Sequence, residues 1–153
     1  MSLKFMDTPD YTEKFDKDDI EFNNRLSTLS YLGILVLIPL FLVKYSRYSR
    51  FHANQGILLI IYNLAIGLIT WIIRAVLGLI GTGIVFLFGK IAARVAFLIK
   101  VAGIVAGGLS VLGWVLTVLI SATAVFLMVL GIINAAKGRA KELPLIGRVK
   151  LLK

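Results

Sequence analysis

The sequence contains no cysteine. That excludes disulfides, thiolate metal sites and redox thiols, and says nothing of compartment. Acid is nearly as scarce. After residue 26 the only carboxylate is Glu142, so no apolar run holds an Asp or Glu. Paired carboxylates for acid–base work are therefore lacking, as is the intramembrane acid that proton-coupled transporters usually keep. The single histidine, His52, has no carboxylate near it in sequence, which argues against a metal site. Neither a nucleophile–base pair nor a Gly-rich phosphate loop is visible. An enzyme is not expected, and no cofactor is expected. The first 26 residues are polar and acid-rich, with no small-residue cleavage site behind a short apolar core, so the first apolar run is expected to be a retained anchor.

What the chain has in abundance is apolar residues and cations. Apolar types make up 59% of its 153 residues and the formal net charge is still +9; the mean hydropathy is +0.92. Residues 1–26 carry four Lys/Arg against seven Asp/Glu, a net of −3, and the rest carries thirteen against one, a net of +12. The cations flank runs long enough to span a bilayer, whose core of about 30 Å needs roughly 20 helical residues. Anionic lipid headgroups account for such a balance more simply than nucleic acid does. The expected class is a small polytopic membrane protein, an all-α bundle of four membrane-embedded helices.

The segments read as follows. Residues 1–26 form an acidic arm with no clear period, expected to be flexible to about Asp18. Residues 27–43 are a minimal span with Pro39 near one end. KYSRYSR follows, with tyrosines suited to the headgroup layer. A second span runs over about 51–80, and Gly78, Gly81 and Gly83 suggest a break at its end. The third segment, 84–106, holds Lys90, Arg94 and Lys100; each central cation costs about +3 kcal/mol and nearly cancels the apolar gain. It either spans or lies in the interface plane. GGLSVLGW reads as a turn, the last span covers 114–136, and 137–153 is a basic tail broken at Pro144. The tail's cations argue for a cytoplasmic C-terminus in the cell membrane; the side of the N-terminus depends on whether 84–106 crosses.

Two helices carry polar and small stripes at about 100° per residue. On the second these are His52, Gln55, Gly56, Asn63, Gly67, Thr70 and Arg74. On the last they are Thr117, Ser121, Ala124, Met128, Gly131, Asn134 and Gly138. Small residues outnumber ionisable ones, which favours packing faces over a hydrated path. His52 can titrate near neutral pH as a relay or sensor, but its place beside a turn favours a helix-start residue bonded to the adjoining loop. Lys137, Arg139, Lys141, Arg148 and Lys150 are expected on anionic headgroups, with an acidic protein surface as the rival partner.

Three stretches, DIEFNNRLSTLSYLGILVLIPLF, RFHANQGILL and GIINAAKGRAKELPLIG, resemble a small bacterial membrane family of uncharacterised function. That family is distantly related to the twenty-kilodalton subunit of the translocon at the inner chloroplast envelope. The most specific element is RFHANQG, with Arg50, His52, Asn54 and Gln55 as its polar cluster. The resemblance covers about residues 19–152 and is poor near 77–106. It implies an all-helical membrane protein with four spans and both termini on one side. The plastid relative is thought to help form a protein-import channel.

Together these features point to a non-catalytic subunit or accessory factor of a membrane complex, in protein insertion or transport, with a protein partner or further copies of itself beside it. The alternative is a small homo-oligomeric channel or carrier in which Lys90 and Arg94 contact an anion. A lipid-binding role resting on the basic tail is a third reading.

Overall fold

A computed structural model describes residues 7–91 and 96–152. The fold is all-helical: α1 is Lys17–Thr28, α2 Leu37–Leu42, α3 Arg47–Ile91 and α4 Ala96–Ala136, with 3-10 turns at Thr12–Lys14, Leu29–Tyr31 and Gly33–Val36. Among the described residues the one β-type pairing is an isolated antiparallel bridge between Asp10 and Lys141. Two helices, α3 and α4, are long and apolar enough to cross a membrane. The chain divides into two compact units, Met1–Asn63 with Thr123–Lys153, and Leu64–Ala122.

In the first unit, α1 begins where Asp16 accepts a hydrogen bond from the Asp18 amide at 3.1 Å, with Asp18 and Asp19 in the first turn and Arg25 in the last. Acids at the N-terminus and a base at the C-terminus both suit the helix dipole. The helix begins at Lys17, close to Asp18, where the flexible stretch of the acidic arm is expected to end. The expected span at 27–43 is not one straight helix. Gly33 takes a left-handed φ of +62°, and the chain there runs as 3-10 turns before α2. Pro39 contributes no backbone donor to α2.

α3 starts after Ser46, whose hydroxyl accepts from the Ser49 amide at 2.9 Å. Asp19, on α1, accepts from the Tyr48 amide at 3.1 Å. Two of the four amides that a helix start leaves without partners are thus satisfied, one of them by a carboxylate that favours the positive end of the dipole. α4 ends at Gly138, φ +68°. There the Arg139 amide reaches back to the Asn134 carbonyl at 2.8 Å and the Gly138 amide to Ala135 at 3.0 Å, a Schellman closure that requires a residue at ease with positive φ.

The core of this unit gathers Tyr31, Leu59, Leu127, Ala135 and Leu143, with Tyr62, Met128 and Ile146 packed against it. Two glycines allow the close approach. A Cβ at Gly56 would lie 1.8 Å from the Ser30 carbonyl oxygen, and one at Gly131 would lie 2.2 Å from Cε1 of Tyr31. Of the small-residue stripes, Gly56 and Gly131 meet a backbone and a ring, whereas Gly67 has nothing within 4 Å of where a Cβ would be.

The second unit is an antiparallel helix pair. Gly81 faces Ala106, and Gly113 faces Leu77 and Arg74. Helix continues through Gly78, Gly81 and Gly83 and through GGLSVLGW, so the expected breaks at both places are replaced by uninterrupted helix. An interior glycine costs a helix about 1 kcal/mol. Leaving backbone amides without partners in apolar surroundings costs several times that. The expected separate helix at 84–106 is instead shared between the end of α3 and the start of α4.

The glycines generate a paired prediction. Gly131→Leu should destabilise the protein by about 1–3 kcal/mol or more, since its side chain must displace the Tyr31 ring from a filled core. Gly67→Ala, at a site with nothing within 4 Å of the new Cβ, should be neutral or gain up to about 1 kcal/mol from helix propensity. Denaturant unfolding of both variants in the same detergent checks the contrast; equal losses would contradict it.

Candidate functional site

The polar cluster of RFHANQG lies on the first turns of α3, and most of it is buried. Asn54 and Gln55 are 6% and 1% exposed, and His52 is fully buried. A primary amide presents the same donor and acceptor as a peptide group. Asn54 uses both: Nδ2 donates to the Val149 carbonyl at 2.8 Å, and Oδ1 accepts from the amides of Leu151 at 2.6 Å and Leu152 at 3.0 Å. Gln55 does the same one residue on, donating to the Gly147 carbonyl at 3.1 Å and accepting from the Leu143 amide at 3.2 Å. The two side chains pair with an irregular tail that has no helix or sheet of its own. The tail turns between these points because Gly147 bonds back to Leu143 at 2.9 Å; a Cβ at Gly147 would lie 2.6 Å from the backbone of Leu143.

The N-terminal residues close the other side of the tail. The Tyr11 amide donates to the Ala140 carbonyl at 2.9 Å and the Glu142 amide to the Pro9 carbonyl at 3.1 Å. The Thr8 hydroxyl donates to the Glu142 carbonyl at 2.6 Å. Asp10 bonds the hydroxyl and amide of Thr12. Those bonds, aided by Lys141 and Arg139, hold its carboxyl below the usual value.

His52 sits among rings. Its centroid is 4.6 Å from that of Tyr48, 5.2 Å from Phe51 and 5.7 Å from Tyr31, and Nδ1 is 2.7 Å from the Tyr31 hydroxyl. Nε2 makes no hydrogen bond within ordinary limits, although the Arg139 carbonyl acts on the ring. The partner is a tyrosine 21 residues away, not the adjoining loop. Tyr48 donates its hydroxyl to the Ala135 carbonyl at 2.9 Å, and Ser27 bonds Ser49 at 2.8 Å. Sequence reasoning missed Tyr31, Tyr48, Ser27 and Ser49 as members of this cluster. The signal for Tyr48 was its spacing: four residues before His52 and seven before Gln55, it shares their helix face.

Above the amides lies a cavity of about 290 Å³. Asn54, Gln55, Gly147 and the buried Glu142 line it together with Phe15 and Phe51, and Arg47, Arg50 and Lys150 are its exposed cations. Lys150 also stands 5.3 Å from the Tyr11 ring centroid.

The other residues singled out by the sequence fall elsewhere. Asn63, Thr70 and Thr117 turn their side chains onto carbonyls of their own helices. Ser121 is exposed, and Asn134 accepts the closing bond of α4 through its carbonyl. Arg74 pairs with the Trp114 ring at 4.6 Å. Lys137, Arg139 and Arg148 are exposed and Lys141 is half-buried. Arg94 and the side chain of Lys90 lie outside the described residues. Among the described residues no cluster of three His, Asp or Glu could hold a metal ion. No family model, curated protein or solved structure matches the chain.

The amide pairing leads to a direct test. Asn54→Ala removes three bonds to the tail, each worth about 0.5–1.5 kcal/mol net. Amide exchange at Leu151 and Leu152 should rise by roughly tenfold or more, while that of Leu127 in α4 stays protected. Asn54→Asp keeps the acceptor and should fall between. Exchange followed by mass spectrometry reads all three; an unchanged tail in Asn54→Ala would remove the amide from this role.

Proposed function

We propose that this chain is an integral membrane protein of two crossings, α3 and α4, that acts without catalysing a reaction as a subunit or accessory factor of a membrane complex. The observation that carries this reading is the exposed apolar surface of the long helices. On α4 it recurs from Phe97, 69% exposed, through Ile104, Val111 and Leu119 to Ile133, 41% exposed. At 1.5 Å per residue that is roughly 54 Å of helix, whereas a bilayer core covers about 30 Å and helices tilt by no more than about 40°. Lipid accounts for part of this surface, and a partner protein accounts for the remainder. Exposed apolar area beyond what a bilayer covers is the ordinary mark of a protein interface.

The topology follows from the polar end of the fold. Residues 8–11 bond to 140–142, and Asn54 bonds to the tail. The start of α3 and both described ends of the chain therefore lie on one side, which supports an even number of crossings between them. Lys44, Arg47 and Arg50 then share a side with the cations of the tail. By the positive-inside rule that side is cytoplasmic. The resemblance carried by RFHANQG and ELPLIG is the ground for placing the process in protein insertion or transport, and fold analogy alone does not specify the task.

Because the chain has no cysteine, sidedness is directly testable. Glu13→Cys and Arg148→Cys, both at exposed positions, should stay unlabelled by an impermeant maleimide in intact cells and both react after lysis. Labelling of one alone would break the even-crossing topology, and labelling of both from outside would reverse the orientation. For the role itself, the chain tagged at native expression and crosslinked in intact membranes should purify with another polypeptide in fixed proportion. Recovery of the chain alone, or only with copies of itself, would overturn the subunit reading.

A further inference from the structure

Arg74 is the single charged residue of α3 between Arg50 and Lys90. Apolar residues surround it along the helix on both sides, Leu64 and Leu68 before it and Val76 and Leu79 after it, all of them exposed. Its own side chain is exposed as well. An arginine centred in hydrocarbon costs about 2.5–3.5 kcal/mol on insertion scales, so its surroundings must supply acceptors.

The chain does not supply a carboxylate. No Asp or Glu occurs from Ser27 to Lys141, so a second copy packed along these helices brings none either. Nearby hydroxyls donate to their own helices, Thr70 to the Ile66 carbonyl and Ser110 to that of Ala106, and their oxygens are neutral acceptors that bring no charge to match the guanidinium. What does meet Arg74 is aromatic. Its guanidinium carbon lies 4.6 Å from the centroid of Trp114. Trp71 stands one turn earlier on α3. These are the only two tryptophans of the chain, and they are 67% and 58% exposed for Trp71 and Trp114. Arg74 lines two open spaces: one of about 490 Å³ that it shares with Thr70 and Trp71, and one of about 210 Å³ that it shares with Ser110 and Trp114.

Tryptophan rings with an apolar body and one N–H favour the headgroup level of a membrane. A guanidinium there donates to phosphate oxygens in charge-assisted bonds. We propose that Trp71, Arg74 and Trp114 form a band that sits at the phosphate level of a bilayer, with Arg74 donating to lipid phosphate in the open space beside the Trp114 ring. This rests on the membrane reading above and adds a fixed depth to it. Below the band the helix pair continues for about 25 Å to Ile91, so a single bilayer covers the apolar surface on only one side of the band.

The two tryptophans are also the probe. The full chain is reconstituted in vesicles of phosphocholine and phosphoglycerol lipids carrying a quencher at one of three depths: a headgroup spin label, or bromines near the carbonyl end or the methyl end of the acyl chain. Tryptophan emission should be quenched most by the headgroup label and least by the methyl-end bromines. Trp71→Phe and Trp114→Phe should each give the same order. Arg74→Leu should shift the profile toward the deeper quenchers, and Arg74→Lys should not.

Strongest quenching from the methyl end would place Arg74 within the hydrocarbon, against a partner's acceptor, and overturn the band. So would absence of quenching at every depth in protein that resists carbonate extraction, since the helix pair would then stand outside the bilayer at that level. An unchanged profile in Arg74→Leu would remove the phosphate contact. Release of the protein by carbonate would overturn the membrane reading itself, a different result from any of these.

Discussion

The polar end of this protein depends on two primary amides that stand in for a β-strand edge. The tail after α4 is irregular, and its backbone donors and acceptors must be satisfied where it turns inward. Asn54 and Gln55, adjacent on α3, offer two donors and two acceptors along the length of that tail. With the tail fixed, Ala140 and Glu142 are presented to the N-terminal residues, and Asp19 of α1 reaches the first amides of α3. The ends of the chain and the start of α3 thus form one hydrogen-bonded unit.

That dependence explains what the sequence disclosed and what it withheld. Length and hydropathy marked 51–80 and 114–136 as apolar spans but set 84–106 apart as a helix of its own, where α3 runs on to Ile91 and α4 begins at Ala96. The glycines misled. Gly78, Gly81, Gly83 and the GGLSVLGW stretch carry turn chemistry in a water-exposed loop, but in apolar surroundings the backbone keeps its helical bonds. Gly33 breaks the chain with a positive φ while Gly67 sits in plain helix, and nothing local distinguishes them. The run of acids at 16–19 was a legible start signal for α1: an aspartate cap followed by two acids in the first turn.

The site was legible in its membership and not in its partners. His52, Asn54 and Gln55 stood out as polar residues at the head of an apolar helix. Their partners lie at Tyr31, 21 residues before His52, and at Gly147 and Val149, 92 and 95 residues after Gln55 and Asn54. No periodicity links positions so far apart. The sequence marks the tail as a cationic strip; Lys137, Arg139, Arg148 and Lys150 are exposed and Lys141 is half-buried. Its backbone and its apolar residues Leu143 and Ile146 belong to the core.

In the first unit the buried set includes Ser27, Ser30, Ser49, His52, Asn54 and Gln55 beside the apolar core of Tyr31, Leu59, Leu127 and Leu143, and in the helix pair many Leu, Ile, Val and Phe and both Trp are exposed. In a bilayer, burial of apolar area would not hold two such helices together, since lipid is as apolar as their side chains. Among the described residues the pair meets closely at Gly81 and Gly113 and through the Arg74–Trp114 contact. The hydrogen-bonded end carries many specific contacts. The two parts differ in what they show: the polar end is held by specific hydrogen bonds, and the helix pair leaves many of its apolar side chains exposed.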